Sequence, residues 1–143
     1  MTNQIAAQMF ITFVALMIIG LSGCGWLASL LGGSSTSSNT TATLSSIQAN
    51  VFNTSCTSCH SGSSPAGSLN LTSGQSYGEM VSVNATTALT SMYLVKPGSS
   101  TESVLIRRLE GNGVGPMPQG GSALDAAVIN TIKAWIDAGA ANN

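Results

Sequence analysis

The hydrophobic positions of this chain fall into three regimes. From Met9 to Leu21 the residues are apolar except for Thr12 and Gly20. That run is shorter than a membrane-crossing helix and fits the apolar region of a secretory leader. From Gly32 to Thr43 the sequence reads GGSSTSSNTTAT, without charge, aromatic residue or hydrophobic period. Such a stretch cannot bury enough apolar surface to offset its ordering entropy, and disorder is expected there. From Leu44 onward helical periods return.

The pattern predicts a helix capped by Ser45 or Ser46, with Ile47, Val51 and Phe52 on one face. Gly74 to Val81 reads as a short helix. Pro97-Gly98 is a turn, after which Ser99 or Ser100 caps a helix that turns Val104, Leu105 and Leu109 inward and ends at Gly111. Ser122-Ala-Leu-Asp125 has the form of a capping box. Behind it run Leu124, Val128, Ile129, Ile132, Trp135 and Ile136 at helical spacing, with Gly139 as the stop. No hairpin signal is present. The expected class is all-α, three to four short helices with long loops.

The apolar run ends in Leu21-Ser22-Gly23-Cys24, which resembles the lipobox of bacterial lipoproteins. The resemblance implies cleavage before Cys24 and acylation of that cysteine. Residues 1–23 are then a signal peptide, 24–43 a lipidated cysteine and flexible tether, and 44–143 a folded domain. Met1 to Gln8 lacks the Lys or Arg that most leaders carry. The alternative is an uncleaved anchor from Met9 to Leu31. Either version exports the domain and ties it to a membrane, and several acyl chains make a stable anchor where one is marginal. As a coil, the tether from Gly25 to Thr43 spans about 25 Å. Gly25 follows the cysteine in place of the Asp that, in such lipoproteins, favours the inner membrane. That leans toward the outer membrane, with the domain on the periplasmic side or at the cell surface.

Composition narrows the function. Charged residues make up 6% of the 143, with 4 Lys+Arg against 5 Asp+Glu. A basic nucleic-acid surface is excluded, because too few cations exist to neutralise phosphates. A carboxylate-rich metal cage is excluded as well. With the leader removed, the remainder is about 38% apolar, below a usual globular domain. The domain has a thin core of its own.

One motif carries chemistry. Cys56-Thr57-Ser58-Cys59-His60 has the C-x-x-C-H spacing of c-type haem attachment. Two thiols on one turn can add to the two vinyl groups along one haem edge, and the following imidazole then meets the iron. Three rivals exist. A thioredoxin-like redox pair needs a βαβ context, which is not visible here. A structural zinc site needs four ligands, and Cys56, Cys59 and His60 supply three. A Cys56–Cys59 disulfide would strain so short a loop.

His60 is the sole histidine, so it cannot be paired with a second imidazole on the iron. Outside the leader, methionine occurs at Met80, Met92 and Met117. Met117 lies in Gly115-Pro116-Met117-Pro118-Gln119-Gly120, where flanking prolines stiffen the loop. It is the preferred sixth ligand. Met92, Met80 or an open site remain as alternatives, as does Met117 filling a core gap.

Together these residues resemble a single-haem cytochrome c domain of class I type, over about Ile47 to Ala140. The shared features are Val51-Phe52 before the motif, Pro97-Gly98, Ser103-Val104-Leu105-Ile106-Arg107-Arg108-Leu109, Met117-Pro118, and Ile132-Lys133-Ala134-Trp135-Ile136-Asp137-Ala138-Gly139-Ala140. The resemblance implies the cytochrome c fold around one covalent c-type haem (heme c). Its first and last helices pack, with Val51 or Phe52 against Trp135 and Ile132. The lysine ring by which many such proteins dock is absent.

Lys96, Arg107 and Arg108 are candidates to pair with haem propionates, against a solvated helix face. Tyr93 and Trp135 could also reach a propionate, though core packing is the preferred reading. Glu79, Asp125 and Asp137 read as a surface residue, a helix cap and a solvated face. No catalytic set is visible. The expected function is one-electron transfer between redox partner proteins in an exported compartment, and not enzymatic. The alternatives are a haem enzyme or gas sensor with an open or labile sixth site, or a fixed relay subunit in a larger redox complex.

Overall fold

A computed structural model describes residues 40–86, 89 and 91–143. The signal peptide, Cys24 and residues 24–39 of the tether lie outside the described residues. Among the described residues the regular structure is helical, with three isolated β-bridges and no strand. The helices are α1 (Leu44–Ile47), a π-helix (Gln48–Cys56), α2 (Ser76–Met80), α3 (Val104–Glu110) and α4 (Ala126–Asp137), with single 3₁₀ turns at Ala66–Ser68 and Ser100–Glu102. No described helix is long and apolar enough to cross a membrane.

The first helix departs from expectation in its cap and in its pitch. Its cap is Thr43, not Ser45 or Ser46. Thr43 is extended, and its hydroxyl accepts from the Ser46 N–H. The free N–H groups of Leu44 and Ser45 donate to the side chain and main chain of Asn143. Past Ile47 the helix widens to i→i+5 bonding. Side chains explain it. Asn50 donates to the Ser46 carbonyl, Thr54 to that of Asn50 and Thr57 to that of Asn53, all four residues back. They compete for the carbonyls that an α-helix would use.

The wider turn matters for the motif. At 3.6 residues per turn, Phe52 and Cys56 would sit about 140° and 180° around from Ile47. The π-helix gathers Ile47, Val51, Phe52 and Cys56 into a sector of roughly 80°. Ile47, Val51 and Phe52 are buried accordingly, and Cys56 packs against the same core.

That core joins the two ends of the domain. Ile47, Val51 and Phe52 share it with Ile132, Trp135 and Ile136. Trp135 is a core aromatic, its indole N–H donating to the Ala141 carbonyl at 2.8 Å. Tyr93 is not; it is 39% exposed, because its segment pairs edge-on through main-chain bridges with Asn84 and Ser103. Gln48 is a buried amide tied three ways. It donates to Leu71 O and Asn53 Oδ1 and accepts from Ser76 Oγ. Each bond contributes about 1 kcal/mol net, and leaving the amide unpaired would cost more.

The later caps also sit elsewhere than the spacing suggests. α4 starts at Ala126 with Asp125 as its cap, accepting from the Ala127 N–H at 2.8 Å. The capping box from Ser122 does not form, since Asp125 itself occupies the cap. α3 follows Ser103, whose hydroxyl bonds Lys96 N and Ser99 O instead of capping. Asp137 is no merely solvated residue: its carboxylate accepts from both the N–H and the hydroxyl of Ser100. The charge thereby sits at the N-terminus of the 3₁₀ turn and pins it to α4. Asp137→Ala should therefore destabilise the domain by about 1–2 kcal/mol in denaturant unfolding, and a double-mutant cycle with Ser100→Ala should show the coupling.

Candidate cofactor cavity

The C-x-x-C-H segment continues the π-helix as a tight turn. The N–H groups of Cys59 and His60 both donate to the Cys56 carbonyl, at 3.1 and 2.9 Å. The chain beyond is then folded back: Ala66 N–H donates to Cys59 O and Leu71 N–H to His60 O. His60 is thus fixed on both sides by main-chain bonds, and Leu71 is anchored again through Gln48.

A cavity of about 360 Å³ opens beside this turn, within the range of small-molecule and cofactor sites. Its apolar wall includes Leu69, Leu71, Leu94, Leu105, Leu109 and Leu124. Cys56, His60, Met80, Met117 and Arg108 reach it as well. One helix serves two surfaces. Ile106 of α3 is buried in the core, while Leu105 and Arg108 face the cavity.

The predicted residues divide as follows. Cys56, His60, Met117 and Arg108 come together on the cavity lining. Cys59 is exposed and lies off the lining. Lys96 and Arg107 also lie off it, and Lys96 pairs with Glu102 at 2.7 Å. That lysine, with the Ser99 hydroxyl, holds the Glu102 carboxyl below its ordinary range. Arg108 Nη1 donates to the Gly115 carbonyl. Met80 also reaches the lining but is buried in the core, and Met92 is off it. Glu79, read from sequence as a surface residue, is half-buried on the lining. Nothing in its local sequence marks it; its place follows from the packing of α2.

His60, Cys56 and Met117 are the lining residues that could hold a metal or a metal-bearing group in this apolar cavity. His60 Nδ1 is buried without a hydrogen-bond partner among the described residues. Such an atom costs about 1–3 kcal/mol, so the ring suits a site completed by something beyond the polypeptide. Cys56 and Met117 add soft sulfur donors on the same lining. Among the described residues no group of three or more His, Cys, Asp or Glu is placed to hold a metal ion by itself. Burial also pushes the Cys56 thiol up to about 11, whereas an attacking redox thiol needs a lowered value.

No known protein family, curated protein or solved structure matches the chain.

Cys56 gives a direct test in the chain before any attachment. Its contribution to stability is complete below its ordinary value of 9.0 and is lost as pH rises from there toward 11. At pH 8, iodoacetamide should modify exposed Cys59 first. Cys56 should react about a hundredfold more slowly than an ordinary thiol, as peptide mass mapping would read.

Proposed function

We propose that this chain is a one-electron carrier of cytochrome c type, holding one covalent c-type haem and tethered to a membrane through acylated Cys24. The observation that carries the reading is that His60 of the C-x-x-C-H motif and Met117 of the Gly-Pro-Met-Pro loop line one apolar cavity. His60 and Met117, 57 positions apart in the chain, would then be available to one iron as its two axial ligands. Cys56 and Cys59 would hold the haem edge, His60 and Met117 the two faces of the iron. The group supplies reversible Fe(III)/Fe(II) cycling. The chain excludes water with its leucine wall, orients the ligands, and favours the reduced state through the His/Met pair.

Two filled axial positions suit outer-sphere transfer and oppose substrate binding at the iron. The partners are then redox proteins of the exported compartment. The sparse charge of the domain leaves docking to shape and uncharged contacts, without long-range steering.

Glu79 supports a second reading. A half-buried carboxyl on the lining is an acid–base group of the kind a haem enzyme uses once its sixth position opens.

Visible spectra of residues 25–143, matured with haem, separate the two. A carrier gives a low-spin reduced spectrum and a weak long-wavelength sulfur–iron band when oxidised, and Met117→Ala abolishes that band. A high-spin spectrum that shifts with carbon monoxide or cyanide before any substitution would refute the carrier reading.

A further inference from the structure

The loop that carries Met117 is hydrogen-bonded to the rest of the domain through a single residue. The Met117 N–H donates to the Arg108 carbonyl at 2.9 Å, and Arg108 Nη1 donates to the Gly115 carbonyl at 3.0 Å. Among the described residues no other hydrogen bond joins residues 114–121 to the domain. Gly111, Gly113 and Gly120 have positive φ, and a Cβ on Gly113 or Gly120 would touch nothing. Met117 packs against the core, so what the two Arg108 bonds add is the polar hold on its loop.

We infer that Arg108 is a positioning residue for Met117, clamping the loop with main chain and side chain so that the thioether stays at the cavity. This rests on the reading of Met117 as an axial ligand. It assigns the guanidinium a different task from pairing with a propionate. The clamp needs a long donor that reaches the Gly115 carbonyl while the residue still lines the cavity, a reach that the shorter Gln side chain does not have.

The test uses the full chain with its haem, and imidazole as a competitor for the sixth position, titrated by visible absorbance. Arg108→Gln should bind imidazole about fivefold more tightly, the factor that one net hydrogen bond represents, and Arg108→Lys, which can still donate, less so. Hydrogen–deuterium exchange of the Met117 amide should quicken by a similar factor. Gly115→Ala approaches the clamp from the loop side. Its Cβ would lie 3.2 Å from Arg108 Nη1, so it should shift both readouts in the same direction, less strongly, even if an Arg108 variant fails to fold.

If Arg108→Gln tightens imidazole binding while the Met117 amide exchanges as in wild type, the residue acts on the cavity and not on the loop, and the inference is overturned. Unchanged affinity and exchange in all three variants overturn it too. Met117→Ala is the reference. If it leaves imidazole binding unaltered, the ligand reading fails and this inference falls with it. If it responds while the Arg108 and Gly115 variants do not, this inference alone fails.

Discussion

The constraint behind this structure is a shortage of apolar side chains that must cover two surfaces at once. A domain of this size has little stability to spare. Its larger hydrophobics nevertheless divide between a core around Ile47, Phe52, Ile132 and Trp135 and a cavity wall dominated by leucine. α3 is the partition. Ile106 faces the core and Leu105 the cavity, with Leu109 shared between the two. A tightly bound apolar group on the cavity side would add contacts that the chain cannot supply by itself. That need accounts for how many polar ties hold the irregular segments in place.

Those ties span long stretches of sequence. Gln48 reaches Leu71 and Ser76, and Asp137 reaches Ser100. They replace surface charge as the means of fixing loops. Two ion pairs are present among the described residues, Lys96–Glu102 and Lys133–Glu110. The Lys96 pair is exposed and contributes little by itself.

What the sequence makes legible depends on range. The motif spacing, the stripe of α4 and the stop at Gly111 are local, and each appears where its pattern predicts. The exact caps do not, because Thr43, Ser45 and Ser46 are chemically equivalent candidates within four residues. Ser122 and Asp125 compete in the same way. The π-helix is not legible in the pattern, which puts Ile47, Val51 and Phe52 on one face of an ordinary helix. What favours it is Asn50, Thr54 and Thr57 at back-bonding positions. Glu79, Tyr93 and Asp137 were misplaced because their surroundings come from segments distant in the chain. Within the site, the pattern preferred Met117 to Met80 and Met92, and the cavity lining includes Met117 and Met80 and leaves out Met92. It offered no means of ranking Lys96, which lies before α3, against Arg107 and Arg108, which α3 points to different sides.

The Gln48 and Asp137 ties also bear on how the domain closes. The first closes loops of 23 and 28 residues, around the segment that holds Cys56 and His60. The second closes one of 37 residues, around the segment that holds Met117. Closure entropy grows only slowly with loop length, so each half can form its own clasp at similar cost. The turn from Cys56 to His60 and the loop that carries Met117 thus each have a clasp of their own, and the cavity between them is drawn shut from two sides independently.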